Sequence, residues 1–556
     1  MTEKQAEKSE TPNLAKPQKK KRPFFRKRYL LIILIAIYFF WHHHLNSKID
    51  SLTQTLRTQL PNNLLTVQDY INKTEQLQGP NLTQYLSFHF DKLQQTQHQF
   101  EQDNNLKTVE AQSNQQYINT LLPFLDHEAP TDWAANHQPP PPQLIQAARD
   151  YLNRQKTNID ALLNLPAHQQ NFWPIDPNIT SYSYPFHLKK IRNAIKHLAL
   201  YHWLAVHDNK PNESLRALES IHKLAQSLEN DLGAYAVIYQ NIIYSCLNTE
   251  IERGLRQHIY NDAQLQTLYK LTTPIPVQQT ALHAHRTQTT LMLNYFDLAI
   301  NQPERMAKKM EFDNKTTEYK QLYEMQQHLG MLKTDIISTL EAQLLAEEKL
   351  KSIHPNYKSI EQHIEKEFVL LNIHTRMSYI SFNSIYKSIV ELNQKQNTLQ
   401  LAIAVERFYL ANRDVNSIQM STQADTQHAL LPNTLLELVP VYIEKVPTDP
   451  YSYELTPEEP TQYKYLHTNN GYLIYTPGHD RTDNRANAYD VESYQVFGKS
   501  VSDTDVVTAI SFPSEKQGKV NDILLELHPQ NTQAYYDKLK EKQELYLELI
   551  TETEEE

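Results

Sequence analysis

Eight glycines in 556 residues is the feature that most narrows what this chain can fold into. Glycine enters positive φ without a steric penalty, so tight hairpins, bulges and left-handed helix caps lean on it. A chain this poor in glycine has few sites for a turn-rich β architecture. Leu, Gln, Glu, Lys and Ala, which favour helix, are abundant through its middle. Long helices joined by few turns are therefore expected, and the fold class is mainly α. With 40% hydrophobic residues the chain can bury sizeable cores, and its length suits three or four domains. Cys246 is the single cysteine, so an internal disulfide is impossible and stability has to come from packing.

Residues 29–41 (YLLIILIAIYFFW) form an uninterrupted apolar run. Even extended to Leu45 it is shorter than the ~20 residues that comfortably cross a bilayer, and a signal-peptide core is the rival reading. No small-x-small cleavage site follows, because Trp41-His42-His43-His44-Leu45 is bulky. Tyr38 and Trp41 suit an interface, and Lys27 and Arg28 can snorkel. An uncleaved transmembrane anchor over residues 29–45 is expected. Residues 1–28 hold ten Lys or Arg against Glu3, Glu7 and Glu10, which keeps this basic tail cytoplasmic under the positive-inside rule. The chain then reads as a single-pass protein of a bacterial inner membrane with its bulk in the periplasm. Its net charge of −10 disfavours nucleic acid as a partner.

Residues 46–138 carry Gln-rich helical patterns with thin apolar stripes, Leu52, Leu56 and Leu60 among them, and are expected to form a helical stalk next to the membrane. The run Pro139-Pro140-Pro141-Pro142 is a stiff spacer that marks a domain edge. An α-helical domain over residues 139–396 follows. Its most regular block places Ile191, Ile195, Leu198 and Ala205 on one helix and Leu215, Leu218, Ile221 and Leu228 on the next, across a turn at residues 208–212. This helix pair is similar to a tetratricopeptide unit, but a single pair does not establish a repeat array, and a helical bundle is the reading. Further helices are predicted over residues 235–255, 279–300, 317–350 and 360–379.

Residues 397–513 have a different texture. Leu399, Leu401, Ala402, Val405, Phe408 and Tyr409 lie at helical spacing on a helix predicted to end near Asn412. Val439-Pro440 and Val446-Pro447 interrupt any further helix, and Asp449-Pro450 marks a turn. Tyr463, Tyr465 and Leu466 before Asn469-Asn470-Gly471, with Tyr472, Leu473, Ile474 and Tyr475 after it, predict a β-hairpin. The order of long helix, Leu-Val-Pro segment, Asp-Pro turn and hairpin resembles the globular end of the type II secretion major pseudopilins. That resemblance implies a small α+β domain with an antiparallel sheet. The whole order of anchor, helical domain and end module also resembles a group of single-pass proteins of planctomycete-type bacteria, a likeness of architecture that carries no activity. Residues 514–556 are expected to form a helical acidic tail.

The chemistry legible in the sequence is sparse. No His-Glu-x-x-His, phosphate-binding glycine loop or Gly-x-Ser-x-Gly elbow occurs, so the chain does not read as an enzyme. His283-Ala284-His285 sits in a predicted helix that would turn the two imidazoles to different faces, where they read as solvated rather than as a metal pair. The resemblance implies a calcium loop after the last hairpin strand, and the matching positions are Asp480, Asp483 and Asp505. Arg481 brings a cation into that loop and is placed to pair with Asp483 in the metal's stead. The functional expectation is a membrane-anchored extracytoplasmic scaffold or interaction protein, possible partners being envelope proteins of a type II secretion or pilus-like assembly. Its alternatives are an envelope hydrolase with a site in the helical domain, and a divergent pseudopilin subunit. The last needs a processing site and an early glutamate, and neither is present between Arg28 and Leu45.

Overall fold

The computed structural model describes residues 24–76, 86, 89–93, 142–165, 173–181, 185–309, 324–327, 330–351, 382–416, 430–450, 462–468, 471–477, 483, 485 and 506–511. The fold is mainly helical with one small antiparallel sheet, as the glycine count implied. The basic tail up to residue 23, most of the expected stalk, the predicted helix at residues 360–379 and the acidic tail lie outside the described residues.

Helix α1 (Phe24–Gln59) is 36 residues long, and the apolar run is its first half. The second half is not a free stalk. Leu56 and Leu60 are buried with Leu65 and with Leu340 of a later helix, and Ile49 and Leu52 pack at the edge of the same cluster. After a capping box at Thr66 and Asp69, α2 (Val67–Glu75) buries Val67 and Tyr70 against Ile179, Leu232 and Leu291. The stripes that read as thin are wide enough because the partner helices are close. Among the described residues, no helix is long and apolar enough to cross a membrane. Residues 29–41 would span about 20 Å at helical rise, against a hydrocarbon core of about 30 Å. The full-length anchor expected at residues 29–45 is therefore not carried by the fold itself.

Helices α3 (Pro142–Arg154) and α4 (Lys156–Leu163) flank the main bundle. The last proline of the four-proline run opens α3, where its missing amide hydrogen is harmless. The helix pair read from the sequence is α5 (Phe186–His207) and α6 (Pro211–Gln226), with Asn209 in the turn at φ 53°, a conformation asparagine tolerates. The bundle continues through α7 (Ala234–Arg256), α8 (Asp262–Leu271), α9 (Val277–Asn301), the short α10 (Pro303–Lys309) and α11 (Met331–Leu350). Helix α12 (Phe382–Asn416) is its spine, touching α7, α8 and α9 on one side and the sheet on the other.

Strands β1 (Lys464–Thr468), β2 (Gly471–Thr476) and β3 (Val506–Ser511) form an antiparallel sheet in the order β1-β2-β3. The hairpin register is set at the Asn-Asn-Gly turn, with Thr468 opposite Gly471 and Lys464 opposite Tyr475. β2 is buried along its whole length. The expected boundary at residues 396 and 397 falls inside the continuous helix α12. Leu399, Ile403, Tyr472, Ile474 and Ile510 belong to the same apolar cluster as Leu198, Leu224 and Leu247 of the bundle. The pseudopilin-like segment and the helical block thus share one core.

Gly254 shows how closely α7 is packed. A Cβ at this position would lie 2.3 Å from the Tyr260 hydroxyl oxygen and 2.6 Å from its ring. Gly254→Ala should lower stability by about 1–3 kcal/mol, the usual penalty of overpacking. Thermal unfolding reads this directly, and a variant melting with the wild type would show that Tyr260 moves aside freely.

Candidate functional site

Two places gather charged side chains around the sheet: the loop at one end of the hairpin and the junction between β3 and the bundle. Thr476, the last residue of β2, pairs with Val506, the first of β3. The chain between them therefore leaves and re-enters at one end of the sheet. Of the three predicted calcium ligands, Asp483 lies within the described residues, while Asp480 and Asp505 lie outside them. Asp483 accepts hydrogen bonds from the Lys464 ammonium and from the Arg485 amide, the latter at 2.9 Å. Lys464 also lies 5.7 Å from the centre of the Tyr475 ring. Partial burial alone would raise the Asp483 carboxyl, but Lys464 and the Arg485 amide outweigh it and hold the group below its ordinary range.

The cation beside Asp483 is thus Lys464 of β1, a residue the sequence reading missed. Counting back from the Asn-Gly turn would have placed Lys464 opposite Tyr475, one strand from the loop. A carboxylate already carrying an ammonium has little to offer calcium, which takes six to eight oxygens. Among the described residues no group of three His, Cys, Asp or Glu is arranged to hold a metal, and with Asp480 and Asp505 outside them the described residues do not test the expected site.

The junction is built around Glu252 of α7. Its carboxylate accepts from Arg256 at 2.7 Å, from Lys395 of α12 at 2.7 Å, and from the backbone amide of Ala509 at 3.2 Å. Arg256 also donates to the Ala509 carbonyl at 3.0 Å, and Lys395 donates to the Val507 carbonyl. These are the outward groups of β3, on the side away from β2. A strand edge left open invites pairing with another chain, and here helix side chains occupy it. Burial alone would raise the Glu252 carboxyl, but Lys395 and Arg256 more than offset it and hold the group below its ordinary range. A second link joins α12 to the sheet about three turns further along the same side. Glu406 accepts from the Tyr472 hydroxyl at 2.8 Å and pairs with His258 at 2.7 Å.

One arrangement has the composition of a hydrolase triad. Ser214 lies 3.0 Å from His202 Nδ1, and His202 Nε2 lies 3.6 Å from a Glu250 carboxylate oxygen. The geometry serves packing instead. His202 Nε2 donates to the Glu250 carbonyl at 2.8 Å, the Ser214 hydroxyl is 2.6 Å from that of Tyr260, and Arg253 engages the Glu250 carboxylate at 3.1 and 3.3 Å. Ser214, His202 and Glu250 are all 0% exposed, so no substrate reaches the hydroxyl.

His283-Ala284-His285 corrects the solvated reading. α9 is covered by α7, α11, α12 and α2, and His285 is fully buried, donating from Nδ1 to Gln343 at 2.7 Å. Gln343 continues to Glu347, which Arg286 grips through two bonds of 2.6 and 2.7 Å. Burial pushes His197, His222, His283 and His285 each down to about 4. No protein-family model, curated protein or solved structure matches the chain.

Two outcomes follow from this arrangement. Glu252→Ala strands two cations and a strand amide, so unfolding free energy should drop by about 3–5 kcal/mol, the usual result of removing one partner of a buried ion pair. Glu252→Gln, which keeps an acceptor, should cost less, and equal losses would show that the charge is not what holds β3. The second outcome concerns pH. Each depressed histidine contributes stability that is complete above its unfolded value near 6.5 and is lost as pH falls toward 4, because there the unfolded chain binds more protons. Urea midpoints should therefore decline from about pH 6.5 to 4 on this linkage, and His285→Gln should make the decline shallower.

Proposed function

We propose that the protein is a membrane-anchored extracytoplasmic scaffold, whose helical body and sheet present a fixed surface to envelope partners. One observation carries the reading. Leu31, Ile32, Ile33, Leu34 and Ile35 are 58%, 60%, 54%, 54% and 46% exposed on α1. Five consecutive residues of a helix cover its full circumference, so this is not the apolar stripe of a helix that docks on one side. Phe39 and Phe40 continue it at 66% and 73%. A helix apolar all round is stable when hydrocarbon surrounds it. Flanking Tyr29 and Trp41 suit the interfaces, and the shortfall in length is of the kind that local bilayer thinning and snorkelling absorb. The ten cations of residues 1–28 support a cytoplasmic N-terminus.

A binding role is supported over catalysis by the pairing pattern. In the described part, the serine, histidine and carboxylate groups nearest to a catalytic arrangement are buried and committed to one another. A link to a type II secretion or pilus-like assembly rests on the sequence resemblance of residues 399–513, and the helix followed by an antiparallel sheet is compatible with it. A periplasm-active reporter fused after Glu556 should be active. Protease added from the periplasmic side should leave only the basic tail and the apolar run protected. Recovery of a soluble form beginning near Leu45 would sink the anchor.

A further inference from the structure

We infer that the end of the helical body formed by α9, α10 and the start of α11 is a phospholipid-docking surface, resting on the headgroups of the leaflet from which α1 emerges. The inference rests on the membrane reading of α1. Its first ground is the absence of a spacer. α1 runs unbroken from the apolar run to Gln59, and the body touches it from the run's last residue onward. A Cβ on Gly330 would lie 3.0 Å from Trp41 Nε1 and 3.1 Å from Leu45 Cδ1, and Lys333 Nζ lies 3.3 Å from His42 Nδ1. Gly330 also has φ +71°, so glycine is required there both for the backbone and for the close approach.

Trp41 and Leu45 are one turn apart, about 6 Å along the axis. The headgroup layer on each side of a bilayer is about 5–7 Å thick. With Trp41 at the hydrocarbon boundary, Gly330 and Lys333 fall inside that layer. The second ground is what else shares this end. Leu332 packs with Met306 of α10 and Leu298 of α9, which brings those helices to the same level as Gly330. At this end Arg305 and Glu304 of α10 and Asp297 of α9 are exposed. Met325, five residues before Gly330, is 52% exposed. Arg305 and Lys333 suit an anionic lipid surface, where each cation near the surface adds attraction, and an exposed apolar side chain such as Met325 can dip below it.

The full-length chain in phosphatidylethanolamine and phosphatidylglycerol vesicles provides the test. Cys246 is buried and stays in place, so nitroxides can be attached at Leu34→Cys, Gln302→Cys, Met325→Cys and, as a distant control on β1, Leu466→Cys. The label at position 34 should be relaxed by oxygen. Labels at 302 and 325 should be relaxed by a nickel chelate carried on a lipid headgroup, and the label at 466 should not. Combining Arg305→Glu with Lys333→Glu should weaken the nickel effect at 325 severalfold. If 34 lies in hydrocarbon while 302 and 325 behave like 466, the docking surface is overturned and the anchor stands. If 34 is exposed to water, the anchor reading fails, and the docking inference falls with it.

Discussion

The sheet is part of this protein because Glu252 holds its outer edge. A small sheet needs a covered apolar face or a helix to pack against, and the outer edge of β3 would otherwise present unpaired amides and carbonyls. By gathering Lys395 and Arg256 and turning all three groups toward Val507 and Ala509, α7 and α12 serve as the missing neighbour of β3. Main-chain groups that would have needed another strand are satisfied by side chains from two helices. The shared core between bundle and sheet, and the central position of α12, depend on this link together with the Glu406 contact to Tyr472.

Much of the local structure was legible in the sequence because it depends on neighbours in the chain. The turn at residues 208–212, the helices on either side and the hairpin at Asn469-Asn470-Gly471 follow from proline, asparagine and apolar spacing. The domain boundary was not legible, although a signal existed. Leu401, Ala402, Ile403, Ala404 and Val405 are consecutive and all buried. A helix apolar all round has partners on more than one side, which argues against ending one domain and beginning another within it. The pairing of Lys464 with Asp483 was within reach of the same register argument that set the hairpin.

Burial of the polar face of α9 could not be read at all. Thr287, Gln288, Thr289 and Thr290 are buried beside His285, and hydropathy marks such residues as solvent-facing. They are accommodated because each finds a partner, Thr289 on Gln343 and Thr287 on the carbonyl of His283. Those partners are contributed by α11 or by the turn below, and no spacing rule in α9 announces them. Asp483 illustrates the converse. A carboxylate that looks available in its own loop is paired by a cation, Lys464, from another strand.

The continuity of α1 has a mechanical consequence. A flexible tether lets a domain swivel above its anchor, whereas a continuous helix of 36 residues, clamped along its second half by α11, transmits tilt and rotation. With the first half in a bilayer, a thinner or thicker membrane that tilts this helix would tilt the entire body through the same angle. In that setting the inclination of the sheet to the membrane normal would be set by lipid thickness as much as by protein contacts.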